Sequence, residues 1–465
     1  MEKKIDPIER AIKEIPEYQV FLTVEELDES SRKLAEESPE LVKLLEIGRS
    51  REGRPIYALK IGKGRRRALL FGCPHPNEPI GAMMLEYLSR RLVEDEELRE
   101  ALDYTWYIVK VADPDGLKLN EGWLKGPFTP LNYARNYYRP AGNQQVEWTF
   151  PIDYKTLKFN NPIPETRALM RLIKDVKPDF IYSLHNAGFG GVYFYISSRA
   201  PLLYPIFHWI VKSQELPLSL GEPEMPYAVE LSEAVYYMPS IKDEYDYLEK
   251  TLKKDPAEVI RTGTSSVDYA RNFNPEVFEL VTEVPYYYDP RIEDTSPTDV
   301  IRRDAILHSI SEARKIYGLL EEKYNSLRDS LKLSNRIREA IEYFLKVMPD
   351  HLKAHENWAR TEPSLSRRAT VAELFDNYQV SKFYRLLMVG MFIRMLKAEE
   401  AEGNTRVSKV REELEEFLEE EGRKLEKELN YKVIPIKKLV ATQLAAGLYS
   451  ALYVQVRLEC PLKTR

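Results

Sequence analysis

Along the front of the chain, short apolar runs bounded by turn residues alternate with stretches of helical period, and helical period dominates the remainder. The runs predict strands at 55–61, 67–73, 104–111, 180–184, 192–196 and 277–282, with helices at 80–92 and 164–176. Strands interleaved with helices define an α/β fold: a mixed, mostly parallel twisted sheet with helices on both faces. Ahead of it, residues 1 to about 45 read as two short helices, the second opened by a capping box at Thr23 and Glu26. From Ser296 onward the pattern is helical, with 300–324 closing the α/β unit or leading out of it. Segments near 334–347, 371–397, 407–429 and 439–456 follow, broken at Pro349, Gly403 and Pro435. The chain therefore divides into an α/β domain over 1–324 and an all-α region over 325–465 whose role the pattern does not reveal.

Composition narrows the classes. A net charge of −6 on a chain that is 31% charged gives solubility rather than a nucleic-acid footprint, and Arg65-Arg66-Arg67 is only a short basic turn. Residues 439–456 carry no charge, but Thr442, Gln443, Ser450 and Gln455 interrupt them and Lys437, Lys438 and Arg457 flank them. We expect a buried or interfacial helix there, not a membrane span. Two cysteines, Cys73 and Cys460, make no disulfide framework, and the first residues lack a signal-peptide core. Both point to the cytoplasm.

The chemistry concentrates where the 67–73 strand gives way to the 80–92 helix, at His75-Pro76-Asn77-Glu78. An imidazole and a carboxylate three residues apart at such a turn can converge on one Zn2+ ion, which then needs a distant third ligand and an open fourth position. The 180–184 strand ends in His185, which supplies a candidate third ligand. A later strand carries Glu279 and Glu283 on one face, and either carboxylate could relay a proton beside the metal. His351 and His355 have helical metal spacing but lack an accompanying glutamate, and read as a surface helix.

Four stretches together carry a family resemblance: residues 47–60, the His75/Glu78 pair, Asp113-Pro114-Asp115-Gly116, and 263–269 leading to Glu283. The chain resembles zinc metallocarboxypeptidases of the carboxypeptidase A type across about the first 320 residues. The resemblance implies a carboxypeptidase-like fold, one zinc ion held by His75, Glu78 and His185, and Glu283 as general base. It also implies a substrate site at Arg135, Asn136, Val267 and Asp268, with Arg135 clamping the terminal carboxylate. Val267, at the base of the pocket for the released residue, would favour an apolar or aromatic side chain, unless carboxylates of the acidic 222–246 stretch reach that pocket.

The pattern also departs from the family. Ala134 stands where the clamp has Asn, Asn132 where an Asp is expected to orient a metal-bound His, and Asn77 where many members have Arg. A Tyr expected before Gly263 is missing, with Glu258-Val259-Ile260-Arg261 in its place. The leading expectation is a zinc-dependent peptidase cutting the amide next to a C-terminal carboxylate. The alternative is a related zinc deacylase acting on an acylated amino acid or modified small peptide, and a third class is a non-catalytic peptidase-like scaffold. The helices beyond 325 would mediate self-association or cover the site mouth.

Overall fold

The computed structural model describes residues 2–459; Cys460 lies outside them. Nine strands form one sheet: β1 (Val42–Arg49), β2 (Pro55–Ile61), β3 (Arg66–Gly72), β4 (Tyr104–Val109), β5 (Phe180–Leu184), β6 (Tyr193–Ile196), β7 (Val229–Ser232), β8 (Val235–Tyr237) and β9 (Phe278–Glu283). Their spatial order is β1-β2-β4-β3-β5-β9-β6-β8-β7. The four central strands β4-β3-β5-β9 are mutually parallel and buried on both faces, as their continuous apolar runs require. Outside them the pairing is largely antiparallel, so the sheet is less parallel than expected. The reason is connection length. The loop from β5 to β6 is too short for the dozen or so residues a parallel crossover needs, so β6 must run back against β9.

Strand β1 escaped the sequence pattern because a bulge between Glu46 and Gly48 shifts its register against β2 and breaks the alternation. The capping box at Thr23 and Glu26 is present, opening the helix Val24–Glu37.

The helical region shares its core with the sheet. A single apolar cluster runs from Ile8 to Val454, and the expected boundary at 324 crosses it. The helix Ile436–Glu459, which carries the uncharged stretch 439–456, lies buried on the sheet, its Gly447 so close to Tyr182 that an added Cβ would sit 2.6 Å from the ring. Tyr182 and Tyr104 donate their hydroxyls to the Gln443 and Ala451 carbonyls, each at 2.9 Å. This helix is the one described helix long and apolar enough to cross a membrane, and its apolar surface is spent on the protein's own core. At the start of helix Arg336–Thr361, the buried Arg336 guanidinium reaches Asp113 at 3.3 Å and Glu165 at 3.5 Å, both in the α/β part. A truncation ending at Tyr324 should therefore lose its cooperative thermal transition and aggregate. A soluble fragment with a sharp melt would show that the sheet carries its own core.

Candidate metal centre

Strands β3, β5 and β9 are adjacent and parallel, so their carboxyl ends share one edge. His75 and Glu78 follow β3, His185 follows β5, and Glu283 ends β9. Crevices beyond the carboxyl ends of parallel strands are where such sheets place ligands. Glycine lets the turn after β3 form so tightly. A Cβ on Gly72 would lie 2.8 Å from the Lys110 carbonyl, and one on Gly81 would lie 2.5 Å from Leu184 Cβ. The helix Ile80–Glu94 has no side-chain cap of its own, and the Asn186 carboxamide accepts from Ile80 N–H at 3.3 Å instead.

His75, Glu78 and His185 each place a ligand atom within 4.8 Å of the others, and all three are buried. Their hydrogen-bond partners settle which atoms face inward. Ser183 Oγ donates its one hydrogen to Glu147 Oε2 at 2.8 Å, so it accepts from His185 Nε2–H, also at 2.8 Å. His185 Nδ1 therefore presents a lone pair. Arg139 Nη2 can only donate, so His75 Nδ1, 2.8 Å away, is an acceptor too. The two Nδ1 atoms stand 3.1 Å apart, with Glu78 oxygens at 3.1 and 3.3 Å from them. Two unprotonated imidazole nitrogens and a carboxylate gathered this closely fit a cation, which would take the His75 Nδ1 lone pair from Arg139, and two imidazoles with one carboxylate are a zinc donor set.

The electrostatics agree. Burial, then the Arg139 charge, pushes His75 down to about 3, which keeps its imidazole neutral for ligation. Burial pushes the other way on Glu78, but the Arg139 guanidinium beside it holds its carboxyl well below the usual range. Glu283 Oε1 lies 4.0 Å from His185 Nδ1. Burial, then the Glu78 and Glu224 charges, raises the Glu283 carboxyl. Glu279 shares the face but sits deeper, accepting from Ser266 Oγ at 2.9 Å, so Glu283 is the carboxylate at the cluster.

The substrate residues expected from sequence are placed elsewhere. Arg135 pairs with Glu419, because the opposite face of its helix, with Ala134, packs against Gly390 of the helix Ser381–Ala401. Asn136 turns back to the Asn132 carbonyl at 3.0 Å. Val267 is buried in a core cluster, and Asp268 accepts from Ser240 and Thr264. None of these four lines the cavity at the centre, so Val267 gives no basis for an apolar preference. Asn132 accepts from Asn136 and donates to the Pro127 carbonyl, and it makes no hydrogen bond to either metal-facing imidazole.

In their place the cavity, about 670 Å³, is lined by residues the sequence did not single out. Arg139 donates to Glu78 Oε1 at 2.8 Å and to Gln145 at 3.1 Å. Glu147 stands behind His185 through Ser183, the role of an outer carboxylate that orients a metal-bound imidazole. Asp376, Asn377 and Tyr384 reach the cavity from the helical region, beside Glu222 and Glu224 of the acidic stretch. The helical region thus builds one wall of the site.

A model of the zinc carboxypeptidase family matches residues 27–275, more than half of the chain, and the chain belongs to that family. The match takes in His75, Glu78 and His185 and stops short of Glu283. Zinc carboxypeptidase A 1 of Anopheles gambiae is 33% identical over 122 residues, 23% of this chain and 28% of that protein. Carboxypeptidase A6 of Mus musculus is 30% identical over 146 residues, 28% of this chain and 33% of that protein. The matched segment spans about a third or less of either relative's length. Among solved structures, the carboxypeptidase A of Helicoverpa armigera aligns at a TM-score of 0.36 and 18% identity, over 61% of this chain and 71% of that one.

Proposed function

We propose that the protein is a zinc-dependent metallocarboxypeptidase that hydrolyses the amide bond next to a C-terminal carboxylate. The observation that carries this reading is the convergence of His75 Nδ1, Glu78 and His185 Nδ1, with Glu283 4.0 Å away, at one edge of the sheet. When bound, zinc acidifies a water and polarises the scissile carbonyl. The chain supplies the rest. Glu283 takes the proton of the attacking water and returns it to the leaving amine. Its burial and its carboxylate neighbours raise its proton affinity, which suits a group that must both accept and release that proton. Glu147, through Ser183, keeps His185 in the tautomer that faces the centre.

Arg139 is the one guanidinium among the described lining residues. Two of its five N–H donors go to Gln145 and Glu78 and a third to His75 Nδ1 until a metal takes that atom, leaving at least two for a charged substrate oxygen. We assign these to the substrate carboxylate, the part expected of Arg135, which pairs with Glu419 and does not line the cavity.

One peptide with a free and with an amidated C-terminus tests the reading on the zinc-loaded full chain. The free form should be cut at least about 30-fold faster in kcat/KM, the factor that about 2 kcal/mol of lost charge pairing gives. Equal rates would transfer the function to zinc-dependent deacylation.

A further inference from the structure

We infer that the cavity also holds a cationic group of its substrate, an alkylammonium or guanidinium, at Glu224 among Tyr193, Tyr195 and Tyr384. This rests on the amide-hydrolase reading and names the substrate class for it.

The other carboxylates that line the cavity are committed or discharged. Glu78 faces the two imidazoles and Arg139, and Glu222 takes Arg302 at 2.5 Å and Asn377 at 3.0 Å. Glu147 accepts from the Ser183 hydroxyl and the Ser266 N–H. Burial raises Asp376 to about 8 and lifts Glu279 well above its ordinary value, so both tend toward the neutral form. Glu283 is the base.

Glu224 differs. It accepts one phenol hydrogen bond on each oxygen, from Tyr193 and Tyr195, both at 2.8 Å. Among the described residues no Lys or Arg lies within ion-pair distance of it. Each oxygen keeps a free lone pair, its two phenol partners carry no charge, and the one guanidinium lining the cavity, Arg139, is hydrogen-bonded to Glu78 instead.

The aromatic groups around it come from the strand register. Tyr193 pairs with Glu283 and Tyr195 with Val281 across β6 and β9, so both rings stand on the cavity face beside the base. Their centroids are 5.8 Å apart at 85°, and Tyr236 continues the row 5.7 Å from Tyr195. Tyr384 arrives from the helix Ser381–Ala401, with its hydroxyl accepting from Gly188 N–H at 3.1 Å. A fixed carboxylate beside several π-faces is the composition that binds ammonium and guanidinium groups.

Two further lining groups are left unsatisfied. Among the described residues Ser265 Oγ and Asn186 Nδ2 have no hydrogen-bond partner, and their residues are 7% and 2% exposed. Both can donate, and an orphaned buried donor calls for a ligand oxygen. A substrate with oxygens for these donors and a cation for Glu224 answers the cavity at both places. The cation has two possible sources, the side chain of a released Lys or Arg and the free amino terminus of a short peptide.

Four tripeptides separate the sources: alanyl-alanyl-lysine and alanyl-alanyl-norleucine, each with a free and an acetylated amino terminus. Calorimetry on zinc-loaded Glu283→Gln protein reads binding without turnover. The favoured cationic peptides should bind at least about tenfold more tightly than acetylated alanyl-alanyl-norleucine. The peptide pair that shows the difference identifies the amine. Adding Glu224→Gln should erase the difference, and Glu224→Asp should keep part of it. Four affinities within about twofold of one another, or an equal loss for all peptides in Glu224→Gln, would overturn the inference. If no peptide binds, the amide-hydrolase reading fails by itself. In that case n-butylammonium, titrated at constant ionic strength, still reads the subsite through tyrosine ring NMR shifts. Shifts that Glu224→Gln abolishes support it, and their absence overturns it.

Discussion

Glu283→Gln keeps its fold and its zinc but loses about a thousandfold or more of its amide-hydrolysing activity, near the upper end of what a positioned acid–base group contributes. The amide is nearly isosteric with the carboxyl, so packing on β9 is preserved. It cannot accept the proton of the attacking water, and that step stops. Because Glu283 lies 4.0 Å from His185 Nδ1 and is not one of the three clustered ligand atoms, metal content should not change. Glu279→Gln is the internal control. Burial, then the Glu147 charge, already pushes the Glu279 carboxyl up toward neutrality, so the substitution replaces one uncharged group by another. It should cost far less activity. Zinc content, melting temperature and kcat/KM of the two variants decide the matter, and a larger loss in Glu279→Gln would move the base four residues back along the strand, to Glu279.

The metal-binding residues were legible because each stands at a boundary that hydrophobic pattern marks well. His75 and Glu78 lie where a strand period becomes a helix period, and His185 ends an apolar run. Adjacent parallel strands then bring those boundaries to one edge without long-range information. Alternation alone could not choose between Glu279 and Glu283; that required the depth of each along β9.

What remained hidden is of a different physical kind. Arg139 and Glu147 lie in irregular chain, where no period fixes a side chain's direction. Arg135 was a fair candidate by motif, but a short helix shows each residue to a different neighbour, and the packing of Ala134 on Gly390 turned Arg135 outward. The helical region misled for a similar reason. A helix that is apolar on nearly all sides must be buried, but the pattern does not say against what. The structure answers with the sheet, the metal-site backbone and the cavity: Gln443 Nε2 donates to the His185 carbonyl at 2.7 Å, and Tyr384 lines the site.

The largest effect on the metal should come from His185→Ala, which no longer retains stoichiometric zinc. His75 Nδ1 and Glu78 remain, and two donors cannot reproduce the three-ligand set that catalytic zinc sites use. In the wild-type protein the native state alone gathers His75 Nδ1 and His185 Nδ1 within 3.1 Å of each other, so zinc binds the native state and raises its thermal midpoint. A chelator should therefore lower the wild-type melting temperature and leave that of His185→Ala unmoved. Glu147→Gln should fall between them. The outer carboxylate only orients the imidazole, so its loss should weaken zinc affinity about 10- to 100-fold and not abolish binding. Metal analysis after dialysis, with melting curves before and after chelation, reads all three proteins. Full occupancy in His185→Ala would mean that another donor completes the site, and the first to examine is Glu283, whose oxygen already lies 4.0 Å from the missing nitrogen.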